Sequence, residues 1–182
     1  MKNIILCLFT AVSNVLFSQV IIGDNVGTAT NKTSVLMEFS STQRKGIILP
    51  YLTDISDVNT PGSIFLRISN PTTAPIAKIV YYDYDGTFKD LSPEASGIGA
   101  KLKLNIQPIL KENSNSKVII GDESSTANGI LVLESKTKAM VLPTVSSYKE
   151  IVNPAPGMMV LTGVGEKTLA FFNGSKWSFW SY

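Results

Sequence analysis

A pentapeptide written twice constrains this chain more than any other feature. Val-Ile-Ile-Gly-Asp stands at Val20–Asp24 and again at Val118–Asp122. The first copy continues through SVLMEFSSTQRKGIILP (Ser34–Pro50), PGSIFL (Pro61–Leu66) and IVYYDYDGTF (Ile79–Phe88). The second continues through GILVLESKTKAMVLP (Gly129–Pro143), PGMMVL (Pro156–Leu161) and TLAFFNGSKW (Thr168–Trp177). Both run in one order: Gly-Asp turn, apolar strand, Ser/Lys-rich bend, apolar run ending in Leu-Pro, Pro-Gly turn, aromatic hairpin. Chance does not keep that order, so one unit used twice is predicted, spanning residues 20–92 and 118–182 with 93–117 joining them.

The unit reads as β structure. Val35, Met37 and Phe39 alternate with Leu36, Glu38 and Ser40, the period of two that a strand imposes. Pro50 and Pro143 end short apolar strands because proline has no N–H to give a central ladder. Pro61-Gly62 and Pro156-Gly157 have turn composition. Asp85-Gly86 and Asn173-Gly174 are predicted as the central pairs of two-residue type I′ hairpins. KLKLNIQ (Lys101–Gln107) alternates and is predicted as a strand between the copies. SNPTTAP (Ser69–Pro75) is an insertion without a counterpart. Helix is limited to a turn or two at Ser147–Val152, where Ser147 and Glu150 have capping-box spacing, and at Asp54–Val58. The expected fold is all-β: two tandem related units of short strands and hairpins, with an intertwined oligomer as a possible assembly.

Residues 1–19 read as a leader. Lys2 precedes the apolar run Ile4–Val12, which is too short to span a bilayer and has the order of a secretory signal peptide. Cleavage is expected near Ser18–Gln19, giving a secreted or outer-surface protein without a transmembrane span. Cys7, the one cysteine, lies inside the leader after Leu6, where lipid attachment would want a small residue. Residues 20–182 therefore have no disulfide to stabilise them.

Composition narrows function by exclusion. The chain has no histidine, so a Ser–His–Asp triad, a Cys–His pair and His-based zinc sites are ruled out. A formal charge of +2 with no long basic run argues against nucleic-acid binding. Glu38 and Glu134 fall near one another in the aligned copies, a spacing that brings glycosidase carboxylate pairs to mind; both are expected on a solvated strand face. Asp83 and Asp85 begin an alternating pattern like that of a calcium loop, yet Gly86 comes early and the second copy has lost every carboxylate there. No catalytic, cofactor-binding or metal-binding residues are assigned, and no enzyme activity is expected.

SVLMEFSSTQRKGIILP, PGSIFL and FFNGSKW resemble a repeat of exported bacterial surface proteins and phage tail-fibre-like proteins. That repeat has a Ser-Ser-Thr-x-x-Lys-Gly bend, a Leu-x-Pro stop, a Pro-x-x-Gly-Leu turn-strand and a tyrosine-rich Asn-Gly-x-x-Trp hairpin. The resemblance implies a structural or adhesive role in a β-rich, often trimeric assembly. This chain departs from it in the reduced Gly-Asp openings, in Ala139 where the first copy has Gly46, and in Tyr51 and Thr144 after the Leu-x-Pro stop.

Aromatic residues carry the remaining signal. Tyr81, Tyr82, Phe171, Phe172, Trp177 and Trp180 are the candidates for an interface or for ligand stacking. Trp177 and Phe179 are expected on one face of the last strand, Trp180 and Tyr182 on the other. A strand apolar on both faces is more than one small sheet buries. Three readings follow: core packing, an oligomer interface, or sugar stacking, the last making the chain a secreted carbohydrate-binding module. Each unit is too small for a large private core, so self-association, with a trimer favoured, is expected; surface proteins and glycans are the other partners considered.

Overall fold

The computed structural model describes residues 19–40, 44–70, 75–92 and 116–180. The leader up to residue 18, the strand expected at 101–107, the centre of the insertion at 71–74 and Tyr182 lie outside the described residues. The fold is all-β. The first half has β1 (Val20–Ile22), β2 (Val35–Phe39), β3 (Ile47–Ile48), β4 (Tyr51–Leu52), β5 (Ile64–Ser69), β6 (Ile76–Tyr82) and β7 (Phe88–Asp90). The second has β8 (Val118–Ile120), β9 (Leu131–Leu133), β10 (Ala139–Val141), β11 (Thr144–Val145), β12 (Met158–Thr162), β13 (Thr168–Phe172) and β14 (Trp177–Trp180). The one described helical element is a 3-10 turn at Tyr148–Glu150, where the Ser147 hydroxyl accepts from the Lys149 N–H. Instead of the helical turn expected at Asp54–Val58, Ile55–Val58 forms a single turn closed by Val58 N–H to the Ile55 carbonyl at 3.2 Å.

The halves correspond in register. β4 runs parallel to β5 with Tyr51 opposite Leu66, and β11 parallel to β12 with Thr144 opposite Leu161. Leu66 N–H donates to the Pro50 carbonyl at 2.9 Å, and Leu161 N–H to the Pro143 carbonyl at 2.8 Å. β6 and β7 then complete an antiparallel meander on β5, as β13 and β14 do on β12. In the openings, β1 lies parallel to β2 and β8 parallel to β9. Ser40 N–H donates to Ile22 where Glu134 N–H donates to Ile120, which makes Met37 the counterpart of Leu131. Two strands cross between halves: β10 pairs parallel with β2, and β3 pairs antiparallel with β12.

The core is shared. Leu49, Leu66, Ala77, Ile79 and Leu91 of the first half pack with Met159 and Phe171 of the second, so the inner faces of the two meanders bury each other. The other face of β12–β13 has its own cluster: Val145, Ile151, Met158, Val160, Ala170 and Phe172 under the 3-10 segment. Burial on both faces explains the nearly continuous apolar runs of β12 and β13. The outer face of β5–β7 instead carries Arg67, Lys78 and Asp90 around a shallow depression, with Lys78 and Asp90 paired at 2.7 Å.

The hairpins differ from the type I′ expectation. Asp83 and Asp85 have negative φ and only Gly86, at +77°, is left-handed. Gly86 N–H donates to Asp83 and Asp83 N–H to Thr87, a type I turn followed by a glycine bulge. In the second half Gly174 is the first central residue of a two-residue turn closed by Asn173 N–H to Lys176, and the Asn173 side-chain oxygen accepts from Ser175 and Lys176. One positive φ at glycine suffices in each.

Candidate association surface

The six aromatic candidates separate by place. Phe171 is fully buried between the two meanders and Phe172 is buried in the second cluster; both serve the core of a single chain. Tyr81 is half-buried against the shared core. Tyr82 is half-buried, its ring 4.9 Å from Phe88, which makes an edge contact with Phe65 at 6.2 Å. Trp177 is half-buried, 5.2 Å from Phe172 and 5.8 Å from Tyr148. Only Trp180, opposite Leu169, stands largely exposed, at 49 %.

Phe179, also exposed, makes an edge contact with Tyr148 at 4.9 Å. Tyr148 was not among the aromatic candidates; its place in a capped turn after β11, not any strand periodicity, brings it over Trp177 and Phe179. Since adjacent residues on a strand face opposite ways, Phe179 and Trp180 do not form one flat platform.

β14 and β7 are the outer strands of their sheets. β7 carries Lys89 and Asp90, charges that discourage edge-to-edge pairing. β14, Trp-Ser-Phe-Trp, carries none. Asn173 and Lys176 form a hydrogen-bonded pair, and alternation then turns the N–H and C=O of Trp177 and Phe179 to the open edge. The Ser178 hydroxyl is buried with no hydrogen-bond partner among the described residues.

A second uncovered region surrounds β8–β9, a two-stranded parallel ribbon. Val118, Ile130 and Leu131 are exposed there, as is Ile48 on β3. These residues are apolar in both copies of the repeat, so letters alone do not separate the covered copy from the open one.

The acidic residues have structural partners. Glu38 is a correction to the expected solvated face: it is fully buried. Its carboxylate accepts from Thr28 and Ala29 N–H at 2.8 Å each, from Gln19 and from Lys32. Burial pushes its pKa up, but the Lys32 ammonium and the two N–H groups outweigh that and hold it below the ordinary value. Gly27, at φ +70°, lies against this carboxylate, where a Cβ would collide with it. Glu134 is half-buried and accepts from the Ser125 hydroxyl. It corresponds to Ser40, not to Glu38, so the two glutamates are not equivalent positions.

Asp85 accepts from Thr87 N–H and hydroxyl and from Lys89 at 3.0 Å, and Lys89 also reaches Asp83 at 3.7 Å. The ammonium occupies the side on which a cation would bind. Among the described residues no cluster of acidic or sulfur ligands has metal-site geometry, and no helix is long and apolar enough to cross a membrane.

No curated protein and no solved structure matches the chain. A family does match over roughly the final third of the sequence, which holds β9 to β14 and the open aromatic edge. Residues 119–181 are similar to the family described as a phage tail like trimerisation region.

Proposed function

We propose that this protein is an exported structural subunit of fibre-like or surface-adhesive type that works as a homotrimer and acts by presenting surface. The carrying observation is the uncharged β14 edge, with Trp180 and Phe179 exposed beside it, inside the stretch that resembles a trimerisation region. An uncharged, aromatic open edge is a pairing and burial surface. Two related β units of residues 20–92 and 118–182 would supply the scaffold, and the leader at residues 1–19 would direct export to the outer surface. The carbohydrate-binding reading gains no support, because the two exposed aromatics of β14 lie on opposite strand faces.

Light scattering of the full chain tests the trimer: three times the 19.7 kDa chain mass is expected. The double variant F179K/W180K should lower that mass while keeping the β circular-dichroism spectrum. A single-chain mass at micromolar concentration contradicts the reading. Export is tested by finding the chain outside the cell with an N-terminus near Val20.

A further inference from the structure

We infer that β9 receives β3 from a second copy of this chain, in the pairing that β10 makes with β2 inside one chain. The inference rests on the trimer reading and specifies its strand contacts.

The second and third strands of the repeat show what a complete unit requires. β2 lies between β1 and β10, with Ala139 N–H donating to the Ser34 carbonyl at 2.8 Å. β9 has β8 on one edge and, among the described residues, no strand on the other. The exposures follow. Leu36 is 2 % and Met37 4 % exposed, whereas their counterparts Ile130 and Leu131 are 68 % and 45 % exposed. The same apolar residues are core in one half and surface in the other: Leu36 has β10 along its strand and Gly121 of the second half against its side chain, whereas among the described residues β9 has no third strand.

Backbone alternation identifies that strand. Toward β8, Val118 N–H bonds the Ile130 carbonyl and Glu134 N–H bonds Ile120; the N–H and C=O groups of Leu131 and Leu133 therefore face the open edge. On β3, Leu49 N–H bonds Gly157 at 3.0 Å, so Ile47 and Leu49 face β12 and Ile48 faces away. Ile48 corresponds to Val141, which lies opposite Glu38 on β2. Transferred to β9, Ile48 lies opposite Val132 and Ile47 opposite Leu131. Ile48, at 55 % exposed, would bring its side chain to the patch that needs cover.

The reciprocal strand shows the same half-used state. Among the described residues β3 uses only its antiparallel edge and β10 only its parallel one. Where β3 crosses β12, a Cβ on Gly157 would meet Leu49 backbone at 3.2 Å; around Gly62, its counterpart on the turn into β5, nothing lies within 4 Å. Among the described residues each chain thus offers two half-used strands, β3 and β10, an acceptor without a third strand, β9, and open space at the Gly62 turn into β5. Contacts of one surface with a different one are head-to-tail and form a ring where the rotation between copies closes, the arrangement of a trimer.

Disulfide trapping in the full chain with C7S as background tests this. I48C and V132C chains, mixed and oxidised, should give a disulfide-linked dimer on non-reducing gels, and the double variant I48C/V132C a linked trimer; opposed strand positions have Cα separations suited to the bond. I130D, a change at an exposed site, should convert the trimer to a folded monomer. A trimer by light scattering that yields no link, or a link only within one chain (as when another segment of the same chain covers β9), overturns the strand assignment and leaves the trimer standing. A chain that scatters as a monomer removes both.

Discussion

Gly157 and Leu49 meet where the two halves of the chain cross. The Leu49 N–H donates to the Gly157 carbonyl at 3.0 Å, and a side chain on Gly157 would meet the Leu49 carbonyl oxygen and the Tyr51 ring at 3.2 Å. A turn of the second half is therefore sealed by a strand of the first. Gly62 makes the corresponding turn in the first half, at φ +88° against +79° for Gly157, with open space around it.

That contrast predicts unequal costs. G62A should lose about 1–2 kcal/mol from its left-handed backbone alone. G157A should lose more, by roughly 1–3 kcal/mol of overpacking. Chemical denaturation of the two variants as single chains, at a concentration that separates subunits, measures the difference; equal losses would contradict the crossing.

Gly46 and Ala139 are counterparts that do not exchange equally. A Cβ at Gly46 would stand 2.7 Å from the Met159 carbonyl and from Met158 Cγ. G46A should therefore weaken the β3–β12 pairing by about 1–3 kcal/mol. A139G should cost only about 0.5–1 kcal/mol, through backbone entropy. Hydrogen exchange at Leu49 N–H reports the first effect directly.

The buried Glu38 carboxylate makes stability depend on acid. Its pKa is lowered in the folded chain, so its contribution is complete above the ordinary value of 4.5 and is lost as pH falls through the lowered folded value. E38Q should cost about 2–3 kcal/mol at neutral pH, since bonds to a charged acceptor are lost. It should also flatten the decline of stability below pH 4.5. Urea midpoints across pH 3 to 7 (roughly the titration range of carboxylates) decide this, and an E38Q curve parallel to the parent would count against it.

Two buried serines should respond oppositely to alanine. Ser92 Oγ accepts from Ile79 N–H at 2.9 Å and contacts Asp90 at 3.2 Å. S92A would orphan a buried N–H, at about 1–3 kcal/mol. Ser178 has a buried hydroxyl without a partner among the described residues, so S178A should be neutral or stabilising by about 1 kcal/mol. Thermal melts of both variants provide the comparison.

Much of the strand pattern was legible because it is local. Val35–Phe39 alternates, Leu-Pro ends the next run, and Gly86 and Gly174 mark the hairpin turns. Partners were less legible. Alternation placed Glu38 on the polar face of its strand, but that face is closed by the loop from Asp24 to Lys32, which supplies two N–H groups and an ammonium. The turn geometry also escaped, since Asp-Gly and Asn-Gly fit several hairpins and the number of loop residues selects among them. Aromatic letters marked Phe171 and Trp180 alike, although one is core and the other surface.

The letters by themselves determined an all-β chain and its succession of short strands, because side-chain period and proline and glycine stereochemistry act within a few residues. Tertiary structure alone decided which edges and faces are covered. Leu36 and Ile130 are equally apolar, yet Leu36 is buried on a strand flanked by a third one from about a hundred residues away along the chain, while among the described residues Ile130 has no such neighbour. Burial belongs to the pair of surfaces that meet, so no single stretch of sequence carries it.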